Sequence, residues 1–157
     1  MNRRHFIATL GALFAMHRAE AANPAEPKVE KLRLSDDEWK KRLSPPAYAV
    51  LRHESTERAG TSPLNGEKRK GTFACAGCDL ALFTSETKFE SGTGWPSFFS
   101  SIPGHLETKT DFKLVLPRTE YHCARCEGHQ GHIFDDGPKP TGKRYCNNGV
   151  ALKFVPA

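Results

Sequence analysis

Five cysteines are the residues of this chain best suited to chemistry, and their spacing divides them four to one. Cys75 and Cys78 stand in FACAGCDL, and Cys123 and Cys126 repeat the C-x-x-C arrangement in HCARCEG. A C-x-x-C turn lets two sulfurs reach one ion, so two such turns supply the four thiolates of a tetrahedral zinc site. Four protein ligands leave no coordination position for water or substrate, which makes the predicted Zn(2+), one per chain, structural. Vicinal disulfides are the alternative use of the same pairs, a strained one across two-residue loops. Cys146 is then left over, and Arg144 precedes it by two positions in KRYCNN. On an extended chain these two side chains share a face, and a neighbouring guanidinium favours thiolate, the nucleophilic form.

His129, His132, Asp135, Asp136 and Asn148 fall in the same short window. Either histidine alone reads as readily as a hydrogen-bonded core residue, and a lone cysteine as a small hydrophobe. A nucleophile, a cation and two proton carriers together point instead to thiol attack assisted by an acid. Upstream, Trp95 lies between Gly94 and Pro96 in SGTGWPSFF, a rigid turn suited to presenting the indole face to a ligand.

Positioning these groups falls to short elements. Ser35 and Glu38 form an S-x-x-E capping box, which predicts a helix from Asp36 to about Leu43. Ser44 before Pro45 and Pro46 predicts a second helix to about His53, with His53 itself on the surface. From Gly60 the pattern is short strands between turn residues: 71–74, 81–84, 111–116, 119–123, 131–134, 144–147 and 150–155. The alternation in Asp111–Leu116 predicts a strand that runs into the core. The fold class expected is mostly β, one small antiparallel domain over residues 34–157 with short N-terminal helices and a structural zinc.

Residues 1–22 have a basic start, an apolar run from Phe6 to Met16 and small residues at Ala19, Ala21 and Ala22. They read as an export signal too short to span a bilayer, and Arg3-Arg4 gives it a twin-arginine character. A periplasmic or exported protein is expected, the alternative being an uncleaved membrane anchor. Residues 23–33 read as a linker with nothing to bury. The formal charge is +5, from 23 basic and 18 acidic residues. Without Arg3, Arg4, Arg18 and Glu20 of the first 22 residues it is 20 against 17, or +3, too little to imply nucleic acid as a partner. On the residues alone, a zinc-ribbon docking module and a zinc-releasing stress protein stay open beside an enzyme.

Five segments taken together decide among these. Cys75-x-x-Cys78, Ser91-Gly92-x-Gly94-Trp95-Pro96-Ser97-Phe98, Cys123-x-x-Cys126, His129-x-Gly131-His132-x-Phe134-x-Asp136-Gly137-Pro138 and Thr141-Gly142-x-Arg144-Tyr145-Cys146-x-Asn148 resemble the B-type methionine-R-sulfoxide reductases. The resemblance implies a β-barrel-like, Mss4-type (β-tent) fold, and thiol-dependent reduction of the R epimer of methionine sulfoxide in peptides and proteins. It implies that Cys146 attacks the sulfoxide sulfur and becomes a sulfenic acid. It also implies that Trp95 and Phe134 receive the substrate, that His129 and His132 polarise and protonate the oxygen, and that Asp136, Arg144 and Asn148 orient the reacting groups. The partners implied are oxidised proteins and a small thiol or thioredoxin-like reductant, with the enzyme a monomer. Many members carry a resolving cysteine where this chain has Thr93, so a one-cysteine cycle is expected; Gly149 replaces a frequent serine.

Overall fold

The computed structural model describes residues 29–114 and 116–157; the proposed export signal and the start of the linker lie outside them. Both predicted helices form. In α1 (Asp36–Arg42) the Ser35 hydroxyl accepts from the Glu38 amide while the Glu38 carboxylate accepts from the Ser35 amide, so the capping box is complete. Ser44 caps α2 (Pro45–His53), whose buried face carries Ala47, Val50 and Leu51.

Among the described residues, nine strands make two antiparallel sheets. The smaller has the order β2-β1-β9, with β1 at Gly71–Cys75, β2 at Ala81–Thr84 and β9 at Leu152–Pro156. The larger has the order β3-β4-β8-β7-β6-β5, from β3 (Lys88–Phe89), β4 (Ser97–Phe98), β5 (Leu106–Asp111), β6 (Arg118–Cys123), β7 (His129–Phe134) and β8 (Arg144–Asn147). The core holds Phe73, Phe83, Phe98 and Tyr121 fully buried. Each contributes about 1.5–3 kcal/mol through burial. The rings of Phe83 and Phe98 stack at 4.1 Å and tie β2 to β4.

Two expectations need correction, and two strands went unpredicted. The strand expected over Asp111–Leu116 lies one segment earlier, at Leu106–Asp111, and Phe112, Leu114 and Leu116 project into solvent at 76%, 59% and 75% exposure. The reason is position: β5 is the edge of its sheet, so the polar run LETKTD can face water on most of its length. The two-residue strands β3 and β4 are too short to leave a pattern. The linker is docked from residue 29 onward, with Val29 and Leu32 against the core, the Leu32 amide donating to the Arg125 carbonyl at 2.7 Å, and Lys31 paired with Glu107. Two apolar residues seven or fewer positions before a capped helix suffice to seat a segment whose charged majority reads as solvated.

Candidate active site

β8 is the element on which the site is built. Cys146 stands opposite Ser97 of β4 on one side and His132 of β7 on the other, so the thiol and an imidazole are cross-strand neighbours. This approach requires a glycine at position 131, because a Cβ there would lie 1.9 Å from the Cys146 carbonyl oxygen. Cys146, His132, Trp95, Phe134, Arg118 and Asn148 line a pocket of about 130 Å³. That is close to the ~150 Å³ of a cavity that admits a benzene-sized molecule, the scale of one side chain.

Each predicted residue has a defined place. The Trp95 indole lies in the pocket wall, fixed by its Nε1–H donating to the Glu57 carbonyl at 3.1 Å. Glu57 also donates its amide to Asn148 Oδ1 at 3.0 Å and accepts with its carboxylate from the Gly149 and Val150 amides, which locks the chain following Cys146. Asn148 donates its side-chain N–H to the Gln130 carbonyl, so its amide holds backbone and touches neither histidine. Asp136 takes both its hydrogen bonds, each 2.8 Å, from Arg144, whose guanidinium lies over the Phe134 ring at 4.4 Å. A Cβ at Gly149 would meet Ser62 Oγ at 1.9 Å, so Ser62 fills the space of the serine this chain lacks.

The histidines are held by two acids that sequence reasoning missed. His129, 3% exposed, has Nδ1 2.6 Å from Glu120 Oε1, while its Nε2 has no partner among the described residues. His132 has Nε2 2.7 Å from Asp111 Oδ2, an oxygen that also accepts from Arg118 at 2.6 Å. The rings lie 5.5 Å apart. Burial of Glu120 works against its ionisation, but its bonds to His122 and His129 prevail and hold the carboxyl down at about 2. Asp111 is held well below the usual carboxylate range by the Lys113 amide and by His132. Burial, aided by the Arg118 charge, lowers His132 below the ordinary imidazole value against the opposing pull of its bond to Asp111. The only hint in the sequence was the T-E-Y-H-C alternation, which places Glu120 and His122 on one face of β6.

Cys146 departs from the simple expectation. Burial raises its thiol above the ordinary value, and the Arg144 charge and the Thr93 hydroxyl recover only part of that rise. Desolvation therefore outweighs the neighbouring cation at Cys146.

The other four cysteines converge as their spacing predicted. Cys75 and Cys126 sulfurs lie 3.6 Å apart, those of Cys78 and Cys123 3.4 Å, and all four fall within 4.8 Å of one another and are buried. A tetrahedron of ~2.3 Å metal–sulfur bonds has S···S edges of about 3.8 Å, so the residues fit a zinc ion. Four sulfurs this close cannot all ionise without a dication between them.

The SelR domain family matches residues 43–156, which contain both cysteine pairs, the two histidines and Cys146. The chain belongs to that family. It is 49% identical over 121 residues to the peptide methionine sulfoxide reductase MsrB of Leptospira interrogans, covering 76% of this chain and 92% of the relative. With the enzyme of the same description from Methanosarcina barkeri it shares 50% over 131 residues, 83% of this chain and 90% of the relative. With the chloroplastic peptide methionine sulfoxide reductase B1 of Arabidopsis thaliana it shares 46% over 149 residues, 94% of this chain and 73% of the relative. As a SelR family member the chain is an oxidoreductase, a peptide-methionine (R)-S-oxide reductase. The crystal structure of a Mis18 "Yippee-like" domain aligns at a TM-score of 0.45 and 14% identity over 57% of this chain and 98% of that one, too distant to add to the assignment.

Proposed function

We propose that Cys146 is the sole redox-active thiol and that the R-sulfoxide of a methionine side chain enters the pocket with its methyl group against Trp95 and Phe134. The observation that carries this reading is the shared pocket of thiol, indole and imidazole. The Cys146 thiolate attacks the sulfoxide sulfur, the methionine S–O bond breaks as the protonated oxygen leaves, and that oxygen then bonds to the Cys146 sulfur, displacing methionine from the S–S bond just formed and leaving a sulfenic acid. Methionine gains two electrons and Cys146 loses two; the proton from the Cys146 thiol goes to the oxygen through the histidines. Protonation is needed because an oxide is a poor leaving group. Arg144, steadied by Asp136, supports the thiolate, and Asn148 holds the backbone that frames the pocket.

No second cysteine lies within the pocket, and Thr93 stands in the Trp95 turn hydrogen-bonded to Ser91 at 2.8 Å. The sulfenic acid is therefore reduced by an external thiol, which releases water and leaves a mixed disulfide, and a second thiol frees Cys146. Cys75, Cys78, Cys123 and Cys126 hold a structural zinc that joins the β1–β2 hairpin to the turn between β6 and β7; when bound it supplies folding energy and no reaction step. The enzyme works as a monomer on exported proteins, its N-terminal segment supplying the address.

The deciding experiment follows turnover of R- and S-methionine sulfoxide in a model peptide with dithiothreitol, comparing native protein with Cys146→Ser at equal zinc content. Consumption of the R epimer alone, lost in the variant, is expected. Consumption of neither epimer by zinc-loaded native protein would overturn the reading. Replacing Arg3 and Arg4 by lysine and following the protein by cell fractionation tests the export assignment, which fails if native protein stays in the cytoplasm.

A further inference from the structure

The loop that closes the β5–β6 hairpin has an unusual composition for a surface turn. Asp111 stands opposite Arg118 in the sheet, so residues 112–117 make the connection. Four large apolar side chains are exposed among the described residues, and Phe112, Leu114 and Leu116 of this loop are three of them. Single exposed apolar residues are ordinary, whereas several gathered in one loop mark an interaction surface.

The loop is fastened at the substrate pocket. Asp111 Oδ2 bonds His132 Nε2 at 2.7 Å, and Arg118, which holds the same oxygen at 2.6 Å, stands in the pocket wall with His132. Lys113 pairs with Glu54, two positions before Thr56, another residue of that wall. Consecutive Cα atoms are about 3.8 Å apart, so the Cα atoms of Phe112, Leu114 and Leu116 all lie within roughly 11 Å of that of Asp111 or Arg118. The pocket, at about 130 Å³, takes one side chain. The rest of a peptide whose methionine sulfoxide is seated there must lie over the rim. An extended chain advances about 3.3 Å per residue, so positions some two to four residues from the methionine come level with the loop. Methionine is a residue of protein cores, and its oxidation to a polar side chain disrupts them. The apolar stretch that carries it is thereby uncovered.

We propose that the loop 112–117 is a docking surface for the protein substrate: Phe112, Leu114 and Leu116 bind apolar side chains that flank the oxidised methionine in an extended segment. The inference rests on the reading that the sulfoxide enters the Cys146 pocket, and it adds the class of sequence admitted there. None of the three side chains lines the pocket, so the surface acts on affinity and leaves the chemical step unchanged.

The test uses the full, zinc-loaded chain with dithiothreitol as reductant, so that no protein reductant competes for the surface. The substrates are N-acetylmethionine R-sulfoxide and two peptides of equal charge, each with one R-sulfoxide, flanked by leucines in one and by serines in the other. Native protein is expected to show a KM for the leucine peptide roughly 3- to 10-fold below that for the serine peptide, the order given by partly covering exposed apolar side chains. Combining Phe112→Ser, Leu114→Ser and Leu116→Ser should abolish that preference while turnover of N-acetylmethionine R-sulfoxide stays within about twofold of native, because exposed substitutions disturb the fold little. Equal KM for the two peptides in native protein would overturn the proposal, a result that needs no variant to fold. So would a triple variant that keeps the preference, or one whose turnover of the acetylated amino acid falls as far as that of the peptides. Self-association of the native chain in sedimentation, abolished in the triple variant, would give the surface to a second copy and overturn it as well. Native protein that reduces none of the three substrates sinks the assigned reaction and the docking surface together, whereas reduction of both peptides at one KM sinks the docking surface alone.

Discussion

The four-cysteine cluster and the Cys146 pocket are adjacent, and β7 borders both. Gln130 of β7 donates to Cys75 Sγ at 3.4 Å, while His132, two positions later, faces Cys146. The cluster sulfurs sit at two strand ends and in the turns that follow them, buried, each beside three others; Cys146 sits mid-strand, half-buried, beside an arginine and an imidazole at the mouth of a pocket. The difference shows how one fold separates two uses of the same atom. Sulfurs that face each other out of water bind a dication, and a sulfur that faces a cation and an opening is left free for nucleophilic attack.

The most severe way to break the comparison is to make the cluster incomplete. Cys123→Ser removes one thiolate from a site where a bound zinc would contribute on the order of 10 kcal/mol, comparable with the whole net stability of a small domain. Loss of zinc and of the near-ultraviolet circular dichroism of the buried aromatics is expected; a folded, active variant would show that the cluster is not structural. Cys146→Ser should do the reverse, leaving melting temperature and zinc content native while turnover falls on the order of 10⁴-fold or more. A subtler probe is the rate of iodoacetamide alkylation at Cys146 against pH, read by mass spectrometry. Because burial raises the thiol, the rate in free enzyme should keep rising beyond the ordinary thiol value, and Arg144→Gln should move the midpoint higher still. A midpoint near neutrality would mean that the guanidinium, not burial, prevails. The smallest effect belongs to Phe112→Ser at the exposed tip between β5 and β6, where the change in unfolding free energy should stay within about 0.5 kcal/mol by urea titration.

Sequence made both helices legible because their starts are local chemistry: Ser35 with Glu38, and Ser44 before two prolines. The metal cluster was equally legible, since two C-x-x-C turns need only meet once. Strand β5 was not, because an edge strand is identified by what lies beside it, and the polar run Leu106–Asp111 has no signature of its own. The same limit hid Glu120, Asp111 and Glu57. Asp111 meets His132 only because the register of the sheet sets the end of β5 across β6 from the middle of β7, and Glu57 lies 38 positions before the indole it anchors. Within the site, the residue types of Cys146, Trp95 and His132 announced themselves, while the groups that orient them depend on register.

The smaller sheet carries a consequence for how the protein comes to exist. Its central strand, β1, pairs along its whole length with β9, Gly71 opposite Pro156 and Cys75 opposite Leu152. Half of the thiolate cluster therefore hangs on a strand that cannot complete its pairing until residues 152–156 have left the ribosome. Such long-range pairing slows folding, to milliseconds or seconds for β-rich domains. Throughout that interval the cluster is incomplete, so a metal ion that it is to hold must arrive before its thiols oxidise, in the newly made chain of an enzyme that itself reverses oxidation.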